Sequence, residues 1–203
     1  MPQELLANYI AAVSAGISAL GAAVSIFNAR VTGKWKRIDL ASSQLSLLDT
    51  EPLLQFATRC LDLDEGKLYV PIELRGWLAA NECYIEHDKD LFIHALKQQP
   101  VRGSADPRVM MYRMAMDAFL TWLSRVADGL DRGNYAADDL RDVGYWVQKC
   151  QSEGGVWDFV SECGFSDDFE FLKTQFQGSR IPLTRVKALG SRKTRSLTPP
   201  SAR

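Results

Sequence analysis

Four side chains capable of metal or proton-transfer chemistry, Cys83, His87, Asp90 and His94, recur at spacings of four, three and four residues. On a helix that spacing stacks them along one face, and a pair one turn apart can share a zinc ion. One helix cannot close a tetrahedral site from all four, because His87 and His94 would stand about 10 Å apart along its axis. The chain has only 2 histidines, so no third imidazole completes a site. Cys83, His87, Asp90 and His94 are therefore a candidate functional polar stripe that meets a neighbouring helix or subunit. No metal and no cofactor are expected.

A ribonuclease of the helical-bundle kind would need an Arg and a His one or two turns apart, setting a cation by the phosphate and an acid or base near the 2′-hydroxyl. The nearest arginine before His87 is Arg75, twelve residues away, and Lys89 stands in the approximate place before His94. Phosphate loops, nucleophile elbows, dinucleotide fingerprints and zinc-protease motifs do not occur. No catalytic residue is assigned, and a membrane-tethered ribonuclease or other hydrolase is the least favoured class.

The element that would position everything else lies at the start of the chain. Leu5 to Phe27 is a run of 23 residues without Lys, Arg, Asp, Glu or His. As a helix it would extend roughly 34 Å, slightly more than the hydrocarbon core of a bilayer. Met1, Pro2, Gln3 and Glu4 supply no basic side chain before it, and the run is longer than a cleavable signal uses, so a retained single-pass anchor is expected. Arg30, Lys34, Lys36 and Arg37 follow it, which by the positive-inside rule leaves the N-terminus outside and the rest in the cytoplasm, at the inner membrane. Tyr9 and Trp35 lie near its two ends, where aromatic rings favour headgroups.

The anchor is weakly hydrophobic: nine of its 23 residues are Leu, Ile, Val or Phe, and seven are Ala. Leu6, Ile10, Val13, Ile17, Leu20, Val24 and Phe27 alternate at spacings of four and three as one bulky stripe, read as lipid-facing. Ala12, Ala15, Ala19 and Ala22 follow the same rhythm on the opposite side, a candidate oligomer seam, since small residues let helix backbones approach in lipid. Ser14, Ser18, Gly21, Ser25, Asn28 and Thr32 form a third stripe, a candidate seam or narrow polar lining.

Residues 38–177 carry 13 basic and 24 acidic side chains, an acidic body unsuited to nucleic acid. Residues 178–203 reverse this with seven basic residues and no acidic one, and read as a disordered tail that could touch anionic lipid or RNA only weakly. Cys60, Cys83, Cys150 and Cys163 contain no C-x-x-C pair, and a cytoplasmic location implies reduced thiols.

Periodicity and punctuation predict helix nearly throughout. The expected division is a transmembrane helix at 5–27, a juxtamembrane helix at 28–49, a cytoplasmic helical bundle at 50–177 and the basic tail at 178–203. Within the bundle, Thr50 caps a helix through Leu63, Pro71 opens a long helix to about Lys97, and Asp106-Pro107 starts another to Asp131. Helices follow from Ala136 to Gln151, over Val156 to Cys163, and from Ser166 to Phe176. Lys67 to Val70 is the single strand candidate. Met114, Ala118, Leu120, Trp122 and Leu123 are expected in the core. The fold class is all-α.

Ala118-Phe119-Leu120-Thr121-Trp122-Leu123, Gly129-Leu130-Asp131-Arg132-Gly133-Asn134-Tyr135, Asp138-Asp139-Leu140 and Tyr145-Trp146 together resemble a bacterial family of small single-pass membrane proteins of unknown function. The layout is similar to the membrane accessory protein of type VI-B CRISPR systems, whose Arg/His motif this chain does not match. The resemblance implies a membrane-anchored oligomer that forms a pore in antiviral or stress defence. Its partners would be membrane lipid and further copies of itself. The alternative is a membrane scaffold that recruits a cytoplasmic protein partner. Physically, Phe119, Trp122, Tyr135 and Trp146 would clamp two antiparallel helices around the Gly133 turn.

Overall fold

Asp106 and Pro107 begin the helix on which much of the domain packs. The Asp106 carboxylate accepts the Arg108 backbone N–H at 2.9 Å, and Pro107 occupies a first-turn position where its missing N–H costs nothing. The computed structural model describes residues 2–78, 82–97 and 106–177, with the side chains of 2–17 and 19 outside that set.

The elements run in the order α1 (Pro2–Thr50), α2 (Pro52–Asp62), β1 (Glu65–Tyr69), a 3-10 turn (Ile72–Trp77), β2 (Tyr84–Asp88), α3 (Lys89–Lys97) and α4 (Pro107–Asp131). A second 3-10 turn (Ala137–Leu140), α5 (Arg141–Ser152), α6 (Gly154–Glu162) and α7 (Ser166–Phe176) complete it. Helix α4 packs against α2, α3, α7 and the first 3-10 turn, while α3 packs on α6 and α5 on α7. Met111, Tyr112, Ala115, Met116, Phe119 and Val126 of α4 have no exposed surface.

The fold is mostly helical, in line with the all-α expectation, and adds one two-stranded sheet. Strands β1 and β2 form an antiparallel pair with Lys67 opposite Glu86 and Leu68 opposite Ile85. The long helix expected from Pro71 to Lys97 is instead a 3-10 turn, a strand and a short helix. Tyr84 to Asp88 alternate exposed and buried, the period of a strand with one face on the core. The Asp88 carboxylate then accepts the Asp90 and Leu91 N–H groups at 2.9 and 3.1 Å, which starts α3.

Two smaller expectations also shift. Glu51, not Thr50, precedes α2, because the Thr50 hydroxyl donates to the Ser46 carbonyl at 2.9 Å inside α1. Met114 is 40% exposed, whereas Leu120, Trp122 and Leu123 are buried. The aromatic clamp forms: Phe119 lies 5.7 Å from Trp122 and 6.1 Å from Trp146, ring centre to ring centre. Tyr135 folds back over Gly129 and donates its hydroxyl to the Arg125 carbonyl at 3.2 Å. The reversal is made at Gly133, whose φ of 69° lies in the left-handed region that glycine occupies without strain.

Helix α1 joins the two expected N-terminal segments without a break at Gly33. Among its described side chains, those of the last turns meet the domain. Ala41 is buried, Leu45, Leu47 and Leu48 pack on the core, Trp122 Nε1 donates to the Gln44 carbonyl at 3.3 Å, and Arg37 pairs with Asp139 at 3.2 Å.

Helices α3 and α6 approach so closely that a Cβ on Gly155 would lie 2.7 Å from both the Ile93 side chain and its carbonyl oxygen. Gly155→Ala should therefore lower stability by about 1–3 kcal/mol. Gly154→Ala, whose Cβ meets nothing within 4 Å, should leave it nearly unchanged. Thermal or urea unfolding of the two variants distinguishes these outcomes.

Candidate functional site

The structure separates the four residues of the polar stripe. Cys83 precedes β2 and is half-buried, His87 lies within β2 and is buried, and Asp90 and His94 are exposed on α3. The helical face that united them does not exist, because the chain changes from strand to helix at Lys89. Among the described residues no group of three or more His, Cys, Asp or Glu is placed to hold a metal.

His87 has a different role from the one its spacing suggested. Its ring is 3% exposed, and Nε2 stands 3.1 Å from the Leu63 carbonyl. A carbonyl can only accept, so Nε2 carries the proton and Nδ1 accepts from the Tyr112 hydroxyl at 3.0 Å. Burial pushes the His87 pKa below its ordinary value and that of Tyr112 above it, so both groups are held neutral. This is a closed chain of hydrogen bonds joining the α2 end, β2 and α4.

Lys89 makes a second closed arrangement beside it. Its ammonium donates to the carbonyls of Cys60 and Leu61 at the end of α2, where carbonyls lack partners within the helix. It also pairs at 3.4 Å with Glu153, which lies 3.8 Å from Lys149. The neighbouring thiols are inert: burial raises the Cys60 pKa strongly and pushes that of Cys150 up to about 12. No described disulfide joins the cysteines. Chemically the cluster can brace helix ends, but it offers no thiolate and no solvent-facing base.

At the outer edge of β2, Arg108 donates to the Glu86 carbonyl at 3.1 Å while gripping the Asp106 carboxylate. The carboxylate of Asp106 is held below its usual range by that guanidinium, and the arginine is not open to an incoming anion. An exposed aromatic surface lies nearby in sequence: Tyr69 and Tyr84 meet edge-on at 5.5 Å across the strands, and Arg75 stacks 4.9 Å over Tyr69. Ile72 and Trp77 are also exposed.

The oligomer and lining residues sit on the projecting part of α1. Ala12, Ala15, Ala19 and Ser14 lie outside the residues whose side chains are described. Ala22, Ser18, Gly21, Ser25, Asn28 and Thr32 are exposed. The Ser25 hydroxyl donates to the Gly21 carbonyl at 2.9 Å, back into its own helix. From Leu20 to Lys36, 17 consecutive residues are exposed on every side. Among the described residues no helix is long and apolar enough to cross a membrane. Of the run Leu5 to Phe27, only Ser18 and Leu20 to Phe27 belong to the described side chains.

No protein-family model, curated protein or solved structure matches this chain.

The buried imidazole makes stability depend on pH with a definite sign. The unfolded chain takes up a proton near the ordinary His value of 6.5, while the folded chain resists until lower pH. Its contribution is complete above 6.5 and is lost as pH falls through the lowered folded value. The urea midpoint should therefore drop between pH about 7.5 and about 5.5, and His87→Gln should flatten that drop. An unchanged drop in the variant would assign it to another group.

Proposed function

We propose that this chain is a single-pass membrane protein of the bacterial inner membrane that works by assembling through its N-terminal helix. The observation that supports the reading is the bare stretch of α1, where Leu20, Val24, Ile26, Phe27 and Trp35 are each more than half exposed. In proteins most of a helix's stability comes from packing its apolar face against something else. A helix that is apolar and unpacked must be covered by lipid or by protein. The uncharged sequence continues upstream to Leu5, and Arg30, Lys34, Lys36 and Arg37 follow it, which orients the domain toward the cytoplasm.

The activity that the family resemblance implies is a pore in antiviral or stress defence, with the serine and asparagine stripe as its candidate lining in an assembly of more than two copies. No catalytic role is assigned to the domain, since the histidine with the best-built surroundings is enclosed. The scaffold reading keeps one observation in its favour, the exposed Tyr69, Ile72, Trp77 and Tyr84 around the hairpin, a surface of the kind proteins use to bind partners.

Expression of the full chain in bacteria followed by alkaline carbonate washing tests the anchor. The chain should stay in the membrane pellet. Release into the supernatant together with peripheral proteins would contradict a spanning helix.

A further inference from the structure

The four-and-three alternation of the bulky stripe does not stop at Phe27. It continues without error through Val31, Lys34, Ile38, Ala41, Leu45 and Leu48, and Lys34 is the single polar residue in it. At its lower end this stripe is already an interface, since Ala41 is buried and Leu45 and Leu48 pack on the domain. Above Ala41 the domain no longer covers it, and Leu20, Val24, Phe27, Val31 and Ile38 of the same stripe are 69, 57, 66, 37 and 37% exposed.

We propose that this upper stripe is the seam of a parallel, two-stranded coiled coil between two copies of the chain. The proposal rests on the reading of α1 as the assembly element and names both the face and the partner. A strict 3.5-residue repeat keeps one stripe facing a partner only if the helices wind around each other left-handedly. The repeat sets Val24, Val31 and Ile38 at a positions and Leu20, Phe27 and Lys34 at d positions. The a positions, Val24, Val31 and Ile38, are all β-branched, as two-stranded coiled coils favour, while of the d positions Leu20 alone is Leu. An identical helix in the same register is the occupant whose pattern matches, and two copies inserted in one orientation present it in parallel.

Two residues gain a purpose in this arrangement. Trp35, 67% exposed in a single copy, falls at an e position, and Arg30 falls at the g position of the preceding heptad. In a parallel pair those positions face each other across the seam, so each Arg30 guanidinium meets the partner's Trp35 ring. Lys34 at d sets register at a cost in stability, as a charged residue in a seam does. The paired stretch is short, about 27 Å from Leu20 to Ile38. Tethering in one membrane raises the effective concentration enough to offset that. The alanine stripe of Ala15, Ala19 and Ala22 falls at c and f, on the far side, so this seam differs from the expected alanine seam and is built from the bulky stripe expected to face lipid.

Single cysteines test the proposal in the full chain in membranes, with Cys83→Ser and Cys163→Ser removing the two thiols that are not buried. Under mild oxidation Val24→Cys and Val31→Cys should give disulfide-linked dimers, whereas Ala29→Cys and Lys36→Cys, on the outer face, should not. Lys34→Leu in the Val31→Cys background should raise the dimer fraction. Equal cross-linking at Ala29 and Lys36, or a dimer fraction that Lys34→Leu lowers or leaves unchanged, would overturn the seam. Dimers at Ala15→Cys and Ala19→Cys alone would move the contact to the alanine stripe and leave assembly through α1 standing. No dimer at any position would remove both.

Discussion

The Tyr112 hydroxyl decides where the hairpin can sit. Tyr112 has no exposed surface and is packed between Phe56, His87 and Phe92, with ring centres 6.4, 5.5 and 5.4 Å away. Its hydrogen bond to His87 turns β2 onto α4, and the other nitrogen of that imidazole holds the end of α2. A buried polar chain of this kind is stable only when every member has a partner. The strand therefore cannot slip by one residue, since a slip would turn His87 to solvent and leave Tyr112 unpaired in the core. Lys89 at the start of α3 then closes α2 and reaches Glu153 before α6, so β2, α2, α3 and α4 share one set of polar contacts that extends to the start of α6.

With the domain organised around α4, helix α1 divides into two regimes. Its last turns are domain structure, fastened by Ala41, Leu45 and Leu48, by the Trp122 indole and by the Arg37–Asp139 pair. The preceding turns, Leu20 to Lys36, have no such support. The end of α1 that is held packs on α2 and the second 3-10 turn.

The parts of the fold legible in the sequence are those with local physical signals. Asp106 and Pro107 mark the start of α4 by their capping chemistry, Gly133 marks its end by a left-handed turn, and Phe119, Trp122, Tyr135 and Trp146 pack as their spacing implies. The segment from Pro71 to Lys97 was not legible. There a helical spacing of Cys83, His87, Asp90 and His94 competes with a two-residue alternation in Tyr84 to Asp88. The alternation wins because Ile85 and His87 can reach the core only from a strand. The candidate polar stripe dissolves for the same reason. Helix α1 was legible as a helix, but the continuation of its stripe below Phe27 is masked by basic residues that look like a membrane boundary.

Amide hydrogen exchange across Leu20 to Lys36, measured on the full chain in its membrane, tests most directly whether the bare helix is covered. Lipid above and a second helix below should protect these amides nearly as well as those of the buried α4. Exchange as fast as that of a free peptide would mean that nothing covers the helix, and would contradict the account.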